Sequence, residues 1–96
     1  MPPLSWSPRA LRDIARLHQF LAIKSRRAAD RAITTIRTAA QVLREFPELG
    51  RVAEDSEFGY RELLVPYGDS GYVVAYARRA DFIEILDVRH QREAGY

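Results

Sequence analysis

Four side chains close to the C-terminus have the types needed to act on a phosphodiester: Arg89, His90, Arg92 and Tyr96. Arginine stabilises phosphate charge through forked hydrogen bonds. Histidine moves protons near neutral pH. Tyrosine stacks on a base, or serves as an acid or base when its pKa is perturbed. Together they are suitable parts for metal-free RNA cleavage. The same stretch also reads as an ordinary polar tail, salt-bridged through Glu93. The other histidine, His18, lies at the edge of an apolar helical stripe and reads as a structural or surface residue. The chain has no cysteine, which excludes disulfides and thiolate metal sites. No ligand spacing joins the two histidines to carboxylates, so no metal and no cofactor is expected. No glycine-rich loop opens a helix, so a nucleotide-binding device is unsupported. Gly68-Asp69-Ser70-Gly71 falls between two strand-like runs and reads as a hairpin turn.

The elements that would carry these residues can be read from periodicity. Leu4-Ser5-Trp6 reads as a short strand. Ser7-Pro8 signals a helix start, a hydroxyl cap followed by proline at the first helical position. Leu11, Ile14, Leu17, His18 and Leu21 then follow helical spacing, which predicts a helix from Pro8 to about Ile23. Lys24-Ser25-Arg26-Arg27 is a polar break. Ala29, Ala32, Ile33, Ile36, Ala40, Leu43 and Phe46 form a second helical stripe, stopped by Pro47. The two helices read as a hairpin. After Gly50 the period changes. Residues 51–57 read as loop, and strands are expected over Phe58 to Val65, Tyr72 to Ala77 and Phe82 to Val88, joined by short turns. The fold class is thus α+β: an N-terminal short strand, a two-helix hairpin, then a three-stranded antiparallel meander with the helices on one face. The last strand carries Ile83 and Ile85 on one side and Leu86 and Val88 on the other. That irregularity predicts a second sheet face partly covered by the C-terminal tail or by a partner.

A chain of 96 residues supports one domain, spanning 1–96. Nothing approaches the ~20 apolar residues of a membrane span, and the N-terminus shows no basic segment followed by an apolar run, so a cytoplasmic protein without a membrane partner is expected. Net charge is only +2. Residues 1–48 hold nine Arg/Lys against four Asp/Glu, whereas residues 49–96 hold six against nine. The basic excess therefore lies in the helical half, either as a solvated helix surface or as a patch for an acidic partner.

Trp6-Ser7-Pro8-Arg9-Ala10-Leu11-Arg12-Asp13-Ile14 resembles the opening of RelE/ParE superfamily toxins, in which a short strand ends in an aromatic and is followed by Ser/Thr-Pro and an acidic residue in the first helix. Phe46-Pro47-Glu48-Leu49-Gly50-Arg51 is similar to the family's helix-to-sheet turn. Tyr60-Arg61-Glu62-Leu63, Ser70-Gly71-Tyr72-Val73-Val74 and Ile85-Leu86-Asp87-Val88-Arg89-His90 are similar to its three sheet strands. The resemblance covers nearly the whole chain in order.

It implies a toxin of a type II toxin–antitoxin system, neutralised by a cognate antitoxin. From the basic excess of the helical half, acidic residues of that antitoxin are expected to meet Arg9, Arg12, Arg16 or Arg31. The resemblance also implies one of two activities. ParE-like members inhibit DNA gyrase by binding; RelE-like members cut mRNA on the ribosome. In the nuclease class two lysines alternate on the strand after the helices, where this chain has Arg61 and Leu63. An arginine follows the Gly-Tyr of the next strand, where this chain has Val73. The tail keeps Arg89 or Arg92 with Tyr96, at a spacing about one residue different. Other nucleases of the superfamily use a different Glu/Arg/His set. The missing cations favour gyrase inhibition. In the alternative, Arg61 and Arg89 would bind phosphate, His90 would carry the proton, Arg92 would meet the developing charge and Tyr96 would lie near the base.

Overall fold

A computed structural model describes residues 1–54 and 59–93. The elements are β1 (Leu4–Trp6), α1 (Pro8–Ala22), α2 (Arg26–Val42), β2 (Arg51–Val52), β3 (Arg61–Tyr67), β4 (Ser70–Arg78) and β5 (Ile83–His90). Both helices begin as their sequences require. The Ser7 and Ser25 hydroxyls accept from the backbone N–H of Ala10 and Ala28, three residues on, at 3.0 and 3.1 Å, each satisfying a donor that the first helical turn leaves open. Arg26 and Arg27, which read as part of a polar break, are already helical. At the other end α2 stops at Val42, earlier than its stripe suggested, and Phe46 is exposed.

The sheet has five strands in the order β1-β5-β4-β3-β2. The expected meander β3-β4-β5 is there. It is extended by β1, which runs parallel to β5 with Trp6 beside Ile85, and by β2, two residues that pair with Arg61 and Glu62 within the stretch read as loop. The turn cluster is tighter than its composition indicated: Pro66 and Tyr67 belong to β3, and only Gly68 and Asp69 separate Tyr67 from its partner Ser70. Gly68 has φ +62°, the conformation that a glycine at the first central position of a two-residue hairpin turn supplies.

The helical hairpin covers one face of the sheet. Ala10, Ile14 and Leu17 of α1 and Ala32, Ile36 and Ala40 of α2 pack with Leu63, Val65, Tyr72, Val74, Tyr76, Ile83, Ile85 and Val88 in one core. Alanines on the α2 stripe let it approach closely. The irregular pattern of the last strand has a different cause from the one expected. Tyr76 pairs with Ile85 while Ala75 pairs with Asp87, leaving Leu86 as the extra residue of a β-bulge. An extra residue reverses the alternation, so Ile83, Ile85 and Val88 all point into the helical core and are fully buried. β5 is therefore not apolar on both sides. The opposite face of the sheet holds buried Val73 and Ala75 on the rungs that carry Glu62, Asp87 and Arg89.

Candidate functional site

Two polar side chains at the start of α1 meet the bulge. The Ser7 hydroxyl donates to the Leu86 carbonyl at 2.8 Å, and Ser7 N–H donates to the Ile85 carbonyl at 3.0 Å. One turn further on, the Asp13 carboxylate accepts from Val88 N–H at 3.0 Å. The Ser7 N–H continues the β1–β5 ladder past Trp6. Because β1 ends there, the Ser7 hydroxyl and the Asp13 carboxylate supply partners to the β5 backbone groups beyond it, on both sides of the bulge. The Ser7-Pro8…Asp13 pattern thus has a physical role: it fixes α1 against β5 at the one irregular place in the sheet. The partner of Asp13 lies 75 residues away in the chain, so only the folded structure discloses it.

The C-terminal stretch is tied to the same helix. Glu93 accepts from His90 N–H at 2.9 Å and from Arg16 at 2.8 Å; Arg16 also reaches Asp13 at 3.8 Å. The hydrogen bond from the His90 backbone, followed by the Arg16 guanidinium, holds the Glu93 carboxyl below the ordinary carboxylate value, partly opposed by burial. The His90 ring stands edge-on to Tyr72, with centroids 5.5 Å apart, and its Nδ1 accepts from Arg92 N–H at 3.2 Å. Burial, followed by the neighbouring Tyr67, raises the Tyr72 hydroxyl above its usual value, so it stays protonated near neutral pH.

Arg61 and Arg89 lie apart. Arg61 shares the helix-facing side of β3 with Leu63 and Val65, and its Nη1 donates to the Gly50 carbonyl at 2.7 Å. It thereby secures the helix-to-sheet turn, which is also held by Tyr76: the Tyr76 hydroxyl donates to the Pro47 carbonyl at 2.7 Å and accepts from Gly50 N–H at 2.9 Å. A Cβ at Gly50 would stand 2.8 Å from the Glu62 carbonyl and 2.7 Å from the Tyr76 ring, so the turn requires glycine. Arg89 projects from the opposite face, where Glu62 lies at 3.4 Å and Asp87 at 3.5 Å. Arg51 approaches the same Glu62 at 3.6 Å. The five residues read as a possible nuclease set thus separate into Arg61 at the turn, Arg89 on the open sheet face, and His90 with Arg92 beside α1. Tyr96 lies outside the described residues.

Of the cations expected to meet an antitoxin, Arg9, Arg12 and Arg16 share one side of α1 at helical spacing. Phe20 and Ile23 continue that side and are 74% and 85% exposed. Arg31 stands apart on α2. His18 joins the two helices, with Nε2 2.7 Å from the Asp30 carboxylate. The residues that sequence reasoning did not assign are Asp13 and Tyr76. The signal for Asp13 was an acidic residue six positions after the cap; nothing local pointed to Tyr76.

A two-helix hairpin fastened by its cap and one carboxylate to a bulged, mainly antiparallel sheet defines the class of this protein as a RelE/ParE-like α+β domain. The family described as ParE toxin of type II toxin–antitoxin systems, parDE, matches residues 4–95, and the chain belongs to that family. It is 37% identical over 93 residues to "Toxin RelE3" of Caulobacter vibrioides, covering 97% of this chain and 98% of that protein. It is 33% identical over 90 residues to "Toxin RelE2" of the same organism, covering 94% and 96%. Among solved structures, a chain of "Chromosomal ParDE TA system from P. aeruginosa" superposes with a TM-score of 0.78 over 94% of this chain and 96% of that one, at 18% identity. That likeness is one of fold.

Proposed function

We propose that this protein is a growth-arresting toxin that acts by binding DNA gyrase and is neutralised by a cognate antitoxin. The observation that carries the reading is the separation of Arg61 from Arg89. Cleavage of a phosphodiester without a metal needs preorganised donors converging on the scissile phosphate, each worth about 10²–10³ in rate. Here one guanidinium is bound to a turn carbonyl and the other faces two carboxylates across the sheet. The positions at which nuclease relatives carry further cations hold Leu63 and Val73, both buried. The antitoxin segment is acidic and amphipathic and lies along Arg9, Arg12 and Phe20 of α1 and Ile23 just after it, where cations and exposed apolar side chains share one side. Toxin and antitoxin meet in the cytoplasm.

Purified protein is expected to inhibit supercoiling by purified gyrase and to leave mRNA on translating ribosomes intact. A second reading, ribosome-dependent mRNA cleavage, is favoured by the RelE names of the relatives. Cuts in the ribosomal A site that disappear on Arg89→Ala or Tyr96→Phe would establish it and overturn gyrase inhibition.

A further inference from the structure

The outer side of α2 differs in kind from that of α1. Arg27, Arg31, Thr34, Thr38 and Gln41 recur at alternating intervals of four and three residues, which aligns them along one side of the helix, and all are exposed. Arg26, Arg27 and Arg31 also line a groove with Thr34, Thr35 and Tyr67 between α2 and the β3–β4 turn. The acid in that groove, Asp30, is engaged by His18 across the hairpin. Lys24 adds a fourth exposed cation at the start of the helix. Among the described residues no large apolar side chain is exposed between positions 24 and 41.

That composition selects the partner. Protein interfaces anchor on buried aromatic and apolar residues; here the groove has Tyr67 as its one aromatic residue, and exposed Ile23 and Val42 stand only at the two ends of the polar row. Phosphate backbone is contacted by Arg, Lys, Thr and Gln, the residues present here. A helix of 17 residues presents them over roughly 25 Å. Duplex DNA carries one phosphate charge per about 1.7 Å of its axis, so cations clustered on one helix side meet several phosphates at once. We propose that the outer side of α2 binds the phosphate backbone of duplex DNA, through Lys24, Arg26, Arg27 and Arg31. This holds whichever target the toxin acts on.

Binding of the purified full chain to a random 20-bp duplex is measured by fluorescence anisotropy against salt. Four phosphate contacts give a slope near −3.6, so Kd weakens by about 10²-fold between 50 and 200 mM salt. Arg27→Gln/Arg31→Gln is expected to halve the slope and leave only about a 10-fold weakening over the same range. Arg27→Lys/Arg31→Lys retains the charge and should retain the slope. Arg78→Gln/Arg79→Gln removes the same charge from the β4–β5 turn and should leave binding near that of the parent. Equal slopes for the α2 and β4–β5 turn Gln variants would overturn the proposal. Equally tight binding of double-stranded RNA, or of a polyglutamate peptide, would overturn the assignment to DNA.

Discussion

Replacing Asp13 tests whether the bulge of β5 needs α1. In Asp13→Ala the Val88 N–H, part-buried and satisfied by the carboxylate at 3.0 Å, loses its partner. A hydrogen bond to a charged group is worth ~1.5–3 kcal/mol. The 3.8 Å contact with Arg16, whose side chain is half exposed, adds less than ~0.5 kcal/mol after screening. The total is about 2–3 kcal/mol, which for a domain of this size lowers Tm by roughly 10–20 °C. Asp13→Asn keeps a neutral acceptor and should lose about half as much. Equilibrium urea unfolding gives the free energies, and amide exchange at Val88 reports the site: protection there should fall more in Asp13→Ala than at Val74 in the core. If Asp13→Ala stays within ~0.5 kcal/mol of the parent, or Asn costs as much as Ala, the carboxylate does not hold the bulge.

Tyr76→Phe leaves Gly50 N–H and the Pro47 carbonyl without the hydroxyl that joins them and should cost ~1–3 kcal/mol by urea unfolding; a loss below that range would mean water replaces the hydroxyl. Deleting Leu86 removes the bulge but leaves Ile85, Asp87 and Val88 opposite Tyr76, Ala75 and Val74 in regular alternation, so the chain should still melt cooperatively while losing the contact of the Ser7 hydroxyl with the Leu86 carbonyl; a non-cooperative melt would show that α1 docks only on the bulged strand. The Glu93 carboxyl has a folded-state value below its unfolded one, so its attachment to Arg16 and His90 N–H is fully present above the ordinary carboxyl value of 4.5 and is lost as pH falls through the depressed value. Side-chain carboxyl chemical shifts of Glu93 should show a midpoint below 4.5, and Arg16→Gln should move it upward.

Much of the scaffold is legible in the amino-acid order because its causes are local. Ser7-Pro8 marks the start of α1 because a hydroxyl cap and a proline suit the first turn. The stripe from Ala29 to Leu43 marks α2 and the side it buries, and alternating runs rich in Val, Ile and Tyr mark the strands. Each of these is a property of a few consecutive residues. β1 is legible at Leu4-Ser5-Trp6, whereas β2, with two residues, is too short to carry a period, and the places of both at opposite edges of the sheet come from pairing with strands outside their own sequence. The bulge at Leu86 is written in the sequence as a broken alternation, but that break is equally compatible with a covered second face. Only the register of β5 against β4, with Ser7 and Asp13 brought in from the far end of the chain, decides between them. The arginines show the same division. Their types announce phosphate chemistry, yet whether Arg61 and Arg89 can meet depends on which side of the sheet each faces and on the carbonyl or carboxylate waiting there, and that is settled by strand pairing across the whole domain.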